Sequence, residues 1–78
     1  MTEHAKIEMN PKVRFGRPTI RGTRITVEDV LRLASRGLST MEIIEQYPRL
    51  TEADIRAAQE YAADVVRDAF VTSNEAAE

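Results

Sequence analysis

Residues 26–54 read TVEDVLRLASRGLSTMEIIEQYPRLTEAD, and the same start signal occurs in them three times. Thr26, Ser39 and Thr51 each stand three residues before a carboxylate, that of Asp29, Glu42 and Asp54 respectively. In a capping box the hydroxyl accepts a hydrogen bond from the third helical amide, while the carboxylate reaches back to the amide of the cap. One such pair is a weak signal. Three of them, each followed by apolar residues at helical spacing, predict three helices.

The first helix is expected over residues 27–36, with Val27, Val30, Leu31 and Ala34 in an arc of roughly 100° and Leu33 at its margin. Arg36 suits the negative end of the helix dipole, and Gly37 is a natural stop. The second, residues 40–47, presents Ile43, Ile44 and Tyr47 and ends at Pro48. The third, residues 52–68, carries Ile55, Ala58, Ala62, Val65, Val66 and Ala69 in one arc. Glu52, Arg56, Glu60, Asp64 and Asp68 fall opposite. Residues 72–78 have no pattern and read as a disordered tail.

Upstream of Thr26 the pattern is short and strand-like. Ile7 and Met9 alternate with polar residues until Asn10-Pro11 breaks the run, and residues 13–15 form a second extended piece. Gly16-Arg17-Pro18 is a turn. Thr19-Ile20 and Arg24-Ile25 flank Arg21-Gly22-Thr23 as a tight hairpin, with Gly22 supplying a positive φ. Arg24 is either half-buried against Asp29 or Asp54, or a plain exposed charge. The expected fold is mainly α: a single domain over residues 1–71, with a β-region (1–26) followed by a three-helix, helix-turn-helix-like bundle (27–71). Gly16, Pro18, Gly22, Gly37 and Pro48 are its punctuation.

The chain has 78 residues, 42% of them apolar and 31% charged, with no cysteine. A domain of this size buries only about 60% of its unfolded surface. It is therefore expected to complete its core with a second copy, its N-terminal strands pairing across a homodimer or higher oligomer. The absence of cysteine removes disulfides and thiolate metal sites, and no apolar run suits a membrane span, so the expected compartment is the cytoplasm. His4 is the only histidine, with Glu3 and Glu8 as poor companions for a metal, and no serine has a base beside it. The chain reads as a non-enzyme without cofactor or metal.

The net charge of -2 conceals a division. Lys6, Lys12, Arg14, Arg17, Arg21, Arg24, Arg32 and Arg36 face only Glu3, Glu8, Glu28 and Asp29 in the first 37 residues. The remainder holds Arg49, Arg56 and Arg67 among many more acids. Such asymmetry suits an anionic partner, docking of the two halves on each other, or a plain solvated surface. Helix three would lead with Glu52, Ala53, Arg56 and Glu60, a poor face for DNA. Lys12, Arg14, Arg17 and Arg21 are the better candidates for DNA or anion binding.

Residues 10–27, NPKVRFGRPTIRGTRITV, resemble the signature of a small bacterial family, the domain of unknown function 433, regarded as VapB-type antitoxins. The likeness continues through Gly37-Leu38-Ser39, Glu42-Ile43-Ile44, Tyr47-Pro48, residues 50–55 and Tyr61-Ala62-Ala63-Asp64, and so covers about residues 7–64. Many members carry Gly-Gly where this chain has Phe15-Gly16. The resemblance implies a β-region plus a helix-turn-helix-like bundle, usually dimeric. It also implies an antitoxin role, neutralising a toxin that resembles PIN-type ribonucleases, and it brings no catalytic residues. On that reading Tyr61, Asp64, Val66 and Phe70 of helix three help meet the toxin. The alternative is a transcriptional autoregulator holding operator DNA with its basic N-terminal region and helix-turn-helix.

Overall fold

The structure, a computed structural model, describes the backbone of residues 4–77 and the side chains of residues 4–70. It is mainly α. Strand β1 (Ile7–Glu8) is followed by one 3-10 turn (Arg14–Gly16), strand β2 (Thr19–Ile20) and helices α1 (Val27–Ser35), α2 (Thr40–Gln46) and α3 (Glu52–Ala77).

All three helix starts form as the sequence dictates. The Asp29 amide donates to Thr26 Oγ1 at 2.9 Å, and Asp29 Oδ2 accepts from the Thr26 amide at 3.0 Å. Ser39 with Glu42 and Thr51 with Asp54 repeat the reciprocal pair. Helix α1 ends in a Schellman motif, in which the amide of Gly37 donates to Ala34 O and that of Leu38 to Leu33 O. Gly37 takes φ +93°, a left-handed value that side chains resist. Leu38 then packs against the core cluster that holds Leu33. Leu33 is buried although the helical wheel sets it at the margin, while Leu31 and Ala34 are half-buried.

The core is a single cluster. Val30, Ile43, Leu50, Ile55 and Ala58 are almost fully buried, joined by Ile7, Ile20, Val27 and Leu33. Covering a side chain of this size contributes about 1.5–3 kcal/mol, so α1, α2 and the first half of α3 hold one another.

The β-region is paired within the chain but differs from the expected hairpin. β1 runs antiparallel to β2, with Ile7 opposite Ile20 and Glu8 opposite Thr19. The expected hairpin is reduced to a turn beyond β2. It is closed by the Ile20 amide donating to Ile25 O and by an isolated bridge between Thr19 and Thr26. Gly22 takes φ +82° in that turn, as expected. Thr19 lies centrally, its hydroxyl donating to Glu8 O at 3.2 Å. Of residues 13–15 only Val13 is extended: Arg14, Phe15 and Gly16 take φ of +50°, +60° and +81°. A left-handed conformation costs a side-chain-bearing residue roughly 1–2 kcal/mol, so neighbouring contacts must hold this turn.

Two further differences concern the ends. α3 continues through residues 72–77, where the sequence suggested a disordered tail. Glu75, Ala76 and Ala77 are strong helix formers, and no glycine or proline intervenes. His4, expected at a loose terminus, is docked on α3. Its Nε2 stands 3.0 Å from Asp64 Oδ2 and its ring meets that of Tyr61 edge-on at 5.1 Å.

Candidate functional site

The apolar arc of α3 divides into two parts. Ile55 and Ala58 are buried and Ala62 is half-buried. Beyond Asp64 every described side chain of the helix is exposed, although the arc itself continues through Val65, Val66 and Ala69. Val65 is 47% exposed, and Val66 and Phe70 are 68% exposed. Where the stripe leaves the core, a groove of about 480 Å³ opens between α1 and α3. Val27, Leu31, Ala62, Val65 and Val66 form its apolar floor, with Arg17 and Glu28 at its edge. Groove and stripe make one continuous apolar surface.

The four toxin-facing candidates therefore fall into two pairs. Val66 and Phe70 are exposed, Val66 lining the groove and Phe70 one turn further along α3, outside its lining. Tyr61 and Asp64 are half-buried and engaged by the N-terminal segment. The Tyr61 hydroxyl stands 3.9 Å from Met9 Sδ, and His4 faces Asp64. Asp64 Oδ2 is buried and has no hydrogen-bond partner, His4 Nε2 standing 3.0 Å away without the alignment of one. This strap is not legible from sequence spacing, because nothing local links residue 4 to residue 64.

The basic segment is arranged differently from its linear reading. Arg14, not Arg24, bonds Asp29, with Nη1 3.2 Å from Oδ2 and 3.0 Å from Arg24 O. Arg24 is exposed, so the plain reading of that residue holds. Asp54 instead meets Lys6 at 3.5 Å. Arg21 bonds Glu8 at 3.0 Å and Ala5 O at 2.8 Å, and Arg17 approaches Glu28 at 4.0 Å. Of the four anion-binding candidates, Lys12 alone lacks an ion-pair partner among the described residues. The leading face of α3 is also self-paired, Arg56 standing 3.8 Å from Glu52.

Two carboxyls are held below their ordinary range by these arrangements. For Asp29, burial alone pushes the carboxyl up. The Thr26 amide, the Thr26 hydroxyl and the Arg14 guanidinium together outweigh it and bring it down. For Glu42, the Ser39 amide and then its hydroxyl lower the value. Both are structural carboxylates of helix starts. Among the described residues no group of three histidines or carboxylates is placed to hold a metal ion, and no helix is long and apolar enough to cross a membrane.

A family model described as "Protein of unknown function (DUF433)" matches residues 7–62. The uncharacterized protein y4eO of Sinorhizobium fredii is 36% identical over 56 residues, covering 72% of this chain and 25% of that protein. The chain thus spans about a quarter of the length of this curated relative. No solved structure matches. The matched stretch takes in the sheet, α1, α2 and the packed half of α3, and it stops at Ala62, where the helix leaves the core.

Proposed function

This chain belongs to the DUF433 family, and on that premise we propose that it is an antitoxin-like binding protein whose α3 stripe seats a partner protein. The observation that carries the reading is the continuation of the apolar arc beyond the core. Val65, Val66 and Phe70 stand in solvent beside an apolar groove. A contiguous apolar surface on so small a chain marks a place where another protein binds. The partner is a toxin resembling PIN-type ribonucleases, as the family resemblance implies. Val66 and Phe70 anchor it, and Glu60 and Asp68 on the polar face of the helix compete for its basic RNA-binding surface. In the absence of the toxin a second copy covers the stripe, so the free protein is a homodimer. The scaffold up to Ala62 is what the family model matches, while the anchors lie beyond it, an arrangement that suits a shared body with a partner-specific arm.

Co-expression with the product of the neighbouring gene tests the proposal. The expected result is a copurifying complex and relief of growth arrest, both lost in Val66→Glu while circular dichroism stays that of the native chain. A complex that survives Val66→Glu and Phe70→Glu together would place the partner elsewhere. Failure of any complex to form would remove the antitoxin reading.

A further inference from the structure

The second exposed apolar group of note is Phe15, and its surroundings are unlike those of the α3 stripe. Its ring is 95% exposed, the most exposed of the large apolar side chains. It sits at the middle of three consecutive left-handed residues. The loop that carries it is fastened on both sides. The Val13 amide donates to Asn10 O at 2.8 Å and the Lys12 amide to Asn10 Oδ1 at 2.9 Å. The Gly16 amide donates to Val13 O and that of Arg17 to Arg14 O. Arg14 ties the loop to the start of α1 through Asp29, and to the residue-24 backbone. Phe15 is thus held out in solvent by a pre-organised turn.

Lys12 and Arg17 share its loop, and the backbone of Arg24 is tied to that loop by its carbonyl, which accepts from Arg14 Nη1. The nearby carboxylates, Glu28 and Asp29, are already engaged by Arg32, Arg17 and Arg14. Lys12 and Arg24 have no ion-pair partner among the described residues. A net positive patch therefore persists on a chain whose total charge is negative.

We propose that the loop of residues 12–17, with Arg24, is a contact site for single-stranded nucleic acid. Phe15 stacks on an unpaired base, and Lys12, Arg17 and Arg24 take the flanking phosphates. A lone flat ring among cations is the pairing that single strands require, since any base offers a face and the phosphates need separate charges. A protein partner would call for several contiguous apolar groups around an anchor, as on α3. A duplex would have to be unstacked before one ring could enter it, and the three cations Lys12, Arg17 and Arg24 give little to offset that. This site does not depend on the α3 reading, and either can fail without the other.

Fluorescence anisotropy with labelled oligothymidylate and oligouridylate tests it, using the full chain at low salt. The expected result is binding that Phe15→Ala weakens by about tenfold and Phe15→Trp preserves. The affinity should also fall with salt, with a logarithmic slope of about -2 for three phosphates, which Lys12→Ala reduces. Phe15→Gly separates folding from binding. Glycine relaxes the left-handed turn, so its thermal midpoint should equal or exceed that of the parent while affinity falls as in Phe15→Ala. Undetectable binding to both oligomers overturns the proposal. So does equal affinity of parent and Phe15→Ala, or tighter binding to a duplex of the same length.

Discussion

The two halves of α3 follow one sequence rule and meet two outcomes. In both, small and branched apolar residues recur at intervals of three and four, with charges on the far side. Between Glu52 and Ala62 that arc is covered by α1, α2 and β1. Beyond Asp64 every described side chain of the helix is exposed. Periodicity therefore specifies a helix and its apolar face, but not what the face meets. What it meets depends on which other elements pack against it, and among the described residues α1, α2 and β1 bury it only as far as Ala62. On the proposed reading, fold and function divide at that point, the packed half making the molecule stable and the exposed half being left for a partner.

Substitutions of equal chemistry in the two halves should break this symmetry most strongly. Ile55 is 1% exposed in the centre of the core. Ile55→Ala is expected to cost about 2–5 kcal/mol, read as a large fall in the denaturant midpoint. Val66→Ala, three turns further along the same face, is expected to change the dilute monomer by no more than about 0.5 kcal/mol. A comparable loss at both positions would mean that the second half of α3 is packed against something within the chain, and the contrast would be void.

The start of α1 offers a smaller effect with a pH signature. Thr26 is 2% exposed and caps the helix whose Val27 and Val30 enter the core. Thr26→Ala should cost about 1–2 kcal/mol. Asp29, its reciprocal partner, titrates below its ordinary value of 3.8 in the folded chain. A depressed carboxyl contributes stability that is fully present above the unfolded value. That stability is lost as pH falls from about 3.8 through the lower folded value. Asp29→Asn should accordingly flatten the acid limb of a stability–pH profile in that window and leave its neutral limb parallel to the parent. A profile unchanged in shape would show that the box is not coupled to folding.

Those caps were legible because they are local. A hydroxyl and a carboxylate three residues apart have few alternatives once an apolar face follows, and the stops at Gly37 and Pro48 are equally short-range. The core of the α2–α3 corner, Ile43, Leu50, Ile55 and Ala58, followed from the same spacing. What the sequence withheld was set by long-range closure. Arg14 and Arg24 are interchangeable as charges, and only the left-handed turn at residues 14–16 decides that Arg14 reaches Asp29. The run of bases looked free because its acids, Glu8, Glu28 and Asp29, arrive from other segments. The pairing of β1 with β2 crosses a loop whose shape Phe15 conceals, since a bulky side chain is a poor advertisement for a positive φ.

The smallest expected effect concerns the boundary itself. His4 reaches Asp64, and Met9 reaches Tyr61, so the N-terminal segment covers the last turn of α3 that is still half-buried. If this strap sets where the helix leaves the core, His4→Ala should shift the boundary toward the N-terminus of α3 without unfolding the bundle. The expected stability loss is up to about 1 kcal/mol, within the usual range for a single substitution outside the core. The more telling measurement is hydrogen exchange along α3. Protection should fall at residues 61–65 and remain at 55–58, because only the former depend on the strap. A uniform fall along the helix would mean that His4 acts on the whole core. No change would mean that the end of the packed half is fixed by α1 alone, and that the half-burial of Tyr61 owes nothing to the segment lying across it.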